Sequence, residues 1–263
     1  MIDFGDLAKS FTIQRRVIWA LFLREVLTRY GRHNIGFLWL FLEPMIFTLG
    51  ITTFWTLTKA VHGSSLPIVP FAITGYSSVL MWRNMPGRLA KAVEPNIGLM
   101  HHRNVRLIDI YLARLLLEIG GVTMSFMFLT VFFWGIDWLT LPEDPLQVIG
   151  GWLLIIWFGV GLAFTIGSAS ERSEVFERLW HPATYFIFPL SGAAFIVDAL
   201  PKTMQMIVLW LPMVHCVEII REGFFGSAFT AHYNAAYVIV VNAVITLFGL
   251  INTLKVSNRI ILE

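Results

Sequence analysis

The stretch densest in groups able to do chemistry is MWRNMPGRLAKAVEPNIGLMHHRNVRLID, residues 81–109. It joins two hydrophobic blocks, is rich in Arg, Lys and His, and is interrupted by Pro86 and Pro95. Its chemistry is recognition, not bond-making. His101 and His102 are adjacent, so they lack the i, i+4 spacing that sets two imidazoles on one helix face, and no metal site is expected. No GxxxxGK[ST] run is present to cradle a phosphate, and neither HExxH nor GxSxG occurs. The single cysteine, Cys216, excludes an intramolecular disulfide and a Cys cluster. The stretch is too polar for lipid and too long for a simple turn. It is expected to form a short cytoplasmic helix that docks into a separate motor protein, leaving this chain no catalytic residues and no cofactor of its own.

The elements that position this stretch follow from composition. The chain is 57% hydrophobic and only 14% charged, with mean hydropathy +0.71, whereas soluble domains carry about 25% charged residues. The apolar residues fall in long blocks, and a helix needs about 20 of them to cross a bilayer core. Six spans are assigned, roughly 37–58, 68–81, 108–134, 146–168, 179–197 and 233–254. Pro182 and Pro189 should bend or break the fifth. No signal peptide is evident in the basic residues 1–34. From Thr12 to Arg32 the pattern is that of an amphipathic interface helix, with Arg15, Arg16, Arg24, Arg29 and Arg32 set against Trp19, Leu23 and Leu27.

Glu43 and Pro44 lie two turns inside the first span. There a carboxylate calls for a cavity or a partner such as Arg83 or Arg88. Arg114 and Glu118 have the i, i+4 spacing of an intrahelical pair. Pro201–Leu211 and Val214–Phe225 are too short to cross, so two re-entrant half-helices are expected. An even span count puts both termini on one side. That side holds 16 of the 19 Lys and Arg; only Lys59, Lys202 and Arg221 fall opposite. The positive-inside rule makes the basic side cytoplasmic. The centres of spans three to six lack Asp, Glu, Lys and Arg, which argues against a proton relay and for a permease driven from outside the membrane.

Several short runs have a familiar order. Arg29-Tyr30-Gly31-Arg32 followed by Asn34 through Pro44 resembles the entry to the first helix of ABC-2 type export permeases. Thr74-Gly75-Tyr76, Met81-Trp82-Arg83-Asn84, His102-Arg103-Asn104-Val105-Arg106, Pro189-Leu190-Ser191-Gly192-Ala193 and Trp210-Leu211-Pro212-Met213-Val214-His215 are similar to the capsular-polysaccharide export permeases of Gram-negative bacteria. The resemblance spans essentially the whole chain. It implies a polytopic all-α fold of six transmembrane helices, with the interface helix in residues 1–34 and the membrane domain in 35–257. Within that domain 84–107 is the coupling-helix loop and 198–231 the periplasmic gate; a cytoplasmic tail, 258–263, follows.

The resemblance further implies an inner-membrane homodimer bound to two copies of an ATP-binding subunit, which carries the ATP and Mg. It implies export of an acidic lipid-linked polysaccharide to a periplasmic adaptor (a polysaccharide co-polymerase) and an outer-membrane channel, with no nucleic-acid partner. On this reading Glu94, Pro95, Asn96, Ile97, His101, His102 and Arg103 couple to the ATPase. Arg15, Arg16, Arg29, Arg32, Arg83, Arg88 and Glu43 form the substrate entrance, where guanidinium forks suit phosphate and carboxylate. Trp157, Phe158, Tyr185 and Phe188 offer aromatic faces to a sliding sugar chain. Pro201, Trp210, Pro212, His215, Glu218 and Arg221 belong to the gate. The competing readings are a permease for another lipid-linked glycan such as O-antigen or teichoic acid, a membrane glycan acyltransferase, which lacks the base it would need, and a passive channel or structural scaffold.

Overall fold

The computed structural model describes residues 4–30, 36–58, 66–90, 92–100 and 105–260. Arg32, His101, His102 and Arg103 lie outside these, as do the side chains of Arg29, Glu43 and Pro44. The described residues are mostly helical, and none is in a strand. The helices are α1 (Phe4–Tyr30), α2 (Gly36–Thr58), α3 (Ile68–Leu89), α4 (Ile97–Met100), α5 (Leu107–Gly135), α6 (Pro145–Ser170), α7 (Glu174–Ile187), α8 (Lys202–Val208), α9 (Pro212–Phe225) and α10 (Ala235–Ile260).

Among the described residues, α5, α6 and α10 are long and apolar enough to cross a membrane, and the bent pair α8–α9 raises the number to four if it counts as one span. α6 is the hub. Gly159 lies where a Cβ would come 3.2 Å from the Trp82 Cα on α3, and Gly161 where one would come 2.7 Å from the Thr246 Oγ1 on α10. Two residues along a helix turn its face by about 200°, so α6 is wedged between α3 and α10. In lipid, where apolar side chains gain little by leaving their surroundings, close backbone approach at small residues holds such helices together. Two polar contacts add to the α6–α10 seam. Trp157 Nε1 donates to Thr246 Oγ1 at 3.1 Å, and Asn242 Nδ2 donates to the Leu154 carbonyl at 3.0 Å.

α3 is enclosed from Val69 to Trp82. Its hydroxyls turn back on their own helix, Thr74 to the Pro70 carbonyl at 2.7 Å and Ser78 to the Thr74 carbonyl at 2.6 Å. The second helix was expected to end near Met81, with the polar connector starting at Asn84. Instead α3 runs through Pro86 to Leu89. A proline inside a helix frees the carbonyl four residues back without necessarily ending it, and here buried Met85, Pro86 and Leu89 continue the packed face.

The fifth apolar block breaks at the second of its two prolines. α7 passes Pro182 and stops at Ile187; a 3-10 turn, Phe188–Leu190, follows, then non-helical backbone from Ser191 to Ile196. Where two half-helices were expected, the chain forms α8 and α9, bent by 107°. Pro212 occupies the first turn of α9, where its missing N–H costs nothing.

Candidate functional site

Three groups of residues could carry function. The first is the connector between α3 and α5. A 3-10 turn, Glu94–Asn96, runs directly into α4, and α5 begins after Arg106, where Asp109 Oδ2 accepts the Arg106 N–H at 3.0 Å. Glu94, Pro95, Ile97 and Gly98 are exposed, whereas Ala92 and Asn96 are buried. The connector therefore has an outward tip and an anchored inner side. The anchors come from other elements. Arg24 Nη1 on α1 donates to Asn96 Oδ1 at 2.8 Å, and Gln14 Nε2 donates to Asp109 Oδ1 at 2.9 Å. From the turn after α6, Glu171 Oε1 accepts the Val93 N–H at 2.9 Å. Burial pushes the Glu171 carboxyl above the ordinary carboxylate range, opposed by the N–H groups of Val93 and Ala92.

Below the connector the charges pair between helices. Arg88 Nε meets Glu118 Oε1 at 2.9 Å, and Arg114 Nε meets Glu25 Oε1 at 3.3 Å. Arg114 also donates to the Arg88 carbonyl at 2.8 Å. The Arg114–Glu118 pairing expected from spacing gives way to these contacts, because helix packing offers each side chain a partner on another element. Arg88 is thus a structural cation for the buried Glu118 carboxylate. Arg15 and Arg16 are exposed on α1 beside Trp19, Leu23 and Leu27, while Arg24 is turned inward.

The second group is the seam between α3 and α7. The Arg83 guanidinium lies 4.8 Å from the centroid of the Tyr185 ring, and Tyr76 meets Phe188 edge-on at 6.1 Å. At the far end, a Cβ on Gly87 would come 3.7 Å from His181 Cε1. Residues 76, 83 and 87 on α3 share a face, as do 181 and 185 on α7, and Phe188 follows in the 3-10 turn just after α7. An entrance candidate and two path candidates therefore meet along one line. The other two path candidates lie elsewhere. The Trp157 indole is bonded to α10, and Phe158 is buried in the core of the bundle. We expect Trp157→Phe to lower the thermal midpoint by a few degrees, as suits one lost hydrogen bond of about 1 kcal/mol, and to leave transport within about twofold.

The third group surrounds Arg221, which is 0% exposed. Its Nη1 donates to the carbonyls of Gly192 and Phe195, both at 2.7 Å, and its Nη2 to that of Ala193 at 2.6 Å. Its guanidinium also lies 3.8 Å from the Phe71 ring centroid. These are carbonyls freed where the chain leaves helix after α7. Such backbone survives at membrane depth only with protein donors around it. Gly75 on α3 makes room, since a Cβ there would sit 2.5 Å from the Ala193 oxygen and 2.7 Å from Arg221 Nη2.

Glu218, also buried, accepts from the His232 N–H at 2.9 Å and the Val197 N–H at 3.5 Å. His215 bridges the Leu209 carbonyl, 2.8 Å from Nε2, and the Asn234 N–H, 3.1 Å from Nδ1, which fixes Nε2 as the protonated nitrogen. So three of the gate candidates, His215, Glu218 and Arg221, bolt α9 into the bundle. Pro201 and Trp210 are exposed and Pro212 is half-buried. Sequence reasoning gave Glu171 no site role; it counted Arg24 only on the amphipathic helix and Gly75 only within a short run. Glu171 offered one signal: positions 167 and 175 are Gly and Val, so the carboxylate has no basic partner one helical turn away in either direction.

A helical bundle with membrane-length apolar helices and an anchored polar connector has the form of a polytopic membrane protein. The chain belongs to the ABC-2 type transporter family, which matches residues 16–225. It is 43% identical over 252 residues to the capsule polysaccharide export inner-membrane protein CtrC of Neisseria meningitidis serogroup B, covering 96% of this chain and 95% of that one. It is 36% identical over 253 residues to the capsule polysaccharide export inner-membrane protein BexB of Haemophilus influenzae, covering 95% and 96%. To the polysialic acid transport protein KpsM of Escherichia coli it is 31% identical over 242 residues, covering 88% and 91%.

Proposed function

We propose that this chain is the membrane-spanning subunit of an ATP-driven exporter of lipid-linked capsular polysaccharide in a bacterial inner membrane. The carrying observation is its near full-length likeness to capsule export proteins. In this reading two copies form a homodimer and bind two copies of a separate ATP-binding subunit, which holds ATP and Mg. The product passes to a periplasmic adaptor and an outer-membrane channel. Both termini are cytoplasmic, and 1–34, 35–257 and 258–263 are the interface segment, membrane domain and tail. α2, α3, α5, α6, α7 and α10 make six crossings, and α8–α9 re-enter from the periplasmic side as the gate within 198–231. The distribution of Lys and Arg supports that orientation.

The exposed tip of the connector, Glu94, Pro95 and Ile97, with His101, His102 and Arg103, takes the motor's push within 84–107. Arg15, Arg16, Arg29 and Arg32, with Glu43 near the first crossing, draw the anionic lipid end of the substrate to the entrance. The path itself is assigned to the α3–α7 seam, where Arg83 can hold a phosphate or carboxylate and Tyr185 and Phe188 can carry sugar faces. Trp157 and Phe158 are assigned to packing of α6, and His215, Glu218 and Arg221 to anchoring the gate.

Arg83 is the clean test of the path. Reversing Arg88 would set two carboxylates together at Glu118 and disturb the fold. Arg83→Glu should cut surface polysaccharide about tenfold or more, the scale of one charge-assisted contact, while the ATPase stays bound. Export unchanged in Arg83→Glu would remove Arg83 from the path. The function itself is tested by isolating a tagged copy from native membranes and identifying what comes with it. An ATP-binding subunit and an acidic glycolipid are expected; a complex holding neither would overturn the assignment.

A further inference from the structure

We propose that Glu171 is a positioning residue, the strut that carries a displacement of the connector into α7. It rests on the reading of the connector as the motor's docking segment and of the α3–α7 seam as the path.

Glu171 is the first residue after α6, and α7 starts three residues later at Glu174. The intervening turn is closed by three backbone hydrogen bonds. The N–H of Glu171 donates to the Gly167 carbonyl at 3.2 Å, and those of Arg172 and Ser173 both donate to the Ala169 carbonyl at 3.1 Å. From this turn the Glu171 carboxylate reaches 78 positions back along the chain to the Val93 N–H, at 2.9 Å. Val93 stands immediately before the 3-10 turn of the connector, and its own carbonyl accepts the Asn96 N–H at 2.9 Å. The exposed tip and the α6–α7 turn are therefore joined through one carboxylate and one turn of backbone.

α7 is suited to respond. Only Trp180 and Thr184 among its residues are buried, and its Arg178–Glu174 ion pair lies within the helix itself. It meets α3 at Arg83–Tyr185, and the 3-10 turn that follows it meets α3 at Tyr76–Phe188. α6, by contrast, is wedged between α3 and α10 and cannot tilt freely. A push on the connector then acts on α7 at its first turn, with α6 as the fulcrum, and shifts the α7 face of the seam against α3. The same turn has a second tether, Arg172 Nη2 to the Asn252 carbonyl on α10 at 3.4 Å. It is longer and lies at the surface, so the Glu171 contact is the stiffer of the two.

A carboxylate that merely satisfies a partly buried N–H predicts lower stability when removed, and nothing more. A strut predicts uncoupling. The test uses the full chain with its ATP-binding subunit, reading surface polysaccharide in native cells and ATP hydrolysis by the purified complex. Glu171→Ala should lower export about tenfold while hydrolysis and co-purification of the ATPase stay within about twofold, as expected for one charge-assisted hydrogen bond lost from the transmission and not from the motor. Glu171→Gln keeps an acceptor oxygen at the same reach and should restore most export, whereas Glu171→Asp, one methylene short, should not. Export at the parent level in Glu171→Ala would overturn the proposal, as would export and hydrolysis falling together. Where Glu171→Ala does not accumulate, the Gln and Asp variants decide: Gln coupled above Asp supports the strut, and the reverse order refutes it. Failure of the underlying docking reading looks different, because Ile97→Asp would then leave the ATPase bound and export intact.

Discussion

Replacing Arg221 with methionine should destabilise the region between α7 and α9 and lower the amount of protein held in the membrane. The guanidinium is fully buried and is the donor to three carbonyls, those of Gly192, Ala193 and Phe195. A buried acceptor that loses its donor costs about 1–3 kcal/mol, so three together cost at least about 3 kcal/mol. Part of the loss is offset, since methionine no longer has to be stripped of the water that a cation holds. At about 2–4 °C per kcal/mol for a chain of this size, the thermal midpoint in detergent should fall by about 6–12 °C. Arg221→Lys should fall between, because one ammonium cannot reach all three oxygens with the geometry of a planar fork. A methionine variant melting within two degrees or so of the parent would refute the view that this side chain closes the broken helix. Gly75→Ala offers an independent check on the same cluster, since its methyl would collide with the Ala193 oxygen.

The second large effect lies at the opposite functional extreme. Ile97 is exposed on α4, at the tip of the anchored connector. Ile97→Asp leaves the anchors at Asn96, Asp109 and Val93 untouched, so the midpoint should move by less than about 2 °C. Surface polysaccharide, however, should fall about tenfold or more, and co-purification of the ATP-binding subunit should weaken in parallel, as for loss of an apolar anchor worth about 1.4 kcal/mol or more at an interface. Arg24→Ala acts on the other side of the same segment. It removes the donor to buried Asn96 Oδ1 and should reduce export without removing the outward contact surface.

Parts of this architecture are legible in the residues themselves. Length and hydropathy are enough to place α5, α6 and α10, because each carries an uninterrupted apolar block. Pro189 marks the end of the α7 region, and Pro212 marks the join of α8 and α9. Pro86 misleads, because a proline reads as a terminator while its neighbours Met85 and Leu89 keep the helix packed. The polar contacts are hardest to read. Spacing pairs Arg114 with Glu118, but α1 and α3 bring Glu25 and Arg88 to them, and no local pattern reports a partner roughly thirty to ninety residues away. The same holds for the short runs Thr74-Gly75-Tyr76 and Pro189–Ala193. Their order along the chain says nothing of why they occur. In space the glycine of one admits the carbonyls of the other, and Arg221 closes them together. The entrance arginines divide for a similar reason: Arg88 is held by Glu118, while Arg83 faces an aromatic ring.

The central claim is that the connector projects into the cytoplasm and is covered there by the motor. Cys216 is the only cysteine and is buried, so Cys216→Ala gives a clean background for a single reporter at exposed Gly98. A membrane-impermeant maleimide should leave Gly98→Cys unlabelled in intact spheroplasts. It should label that cysteine after the membrane is opened, and labelling should fall when the ATP-binding subunit is present. Labelling of intact spheroplasts, or labelling of opened membranes that the ATP-binding subunit leaves unchanged, would contradict the account.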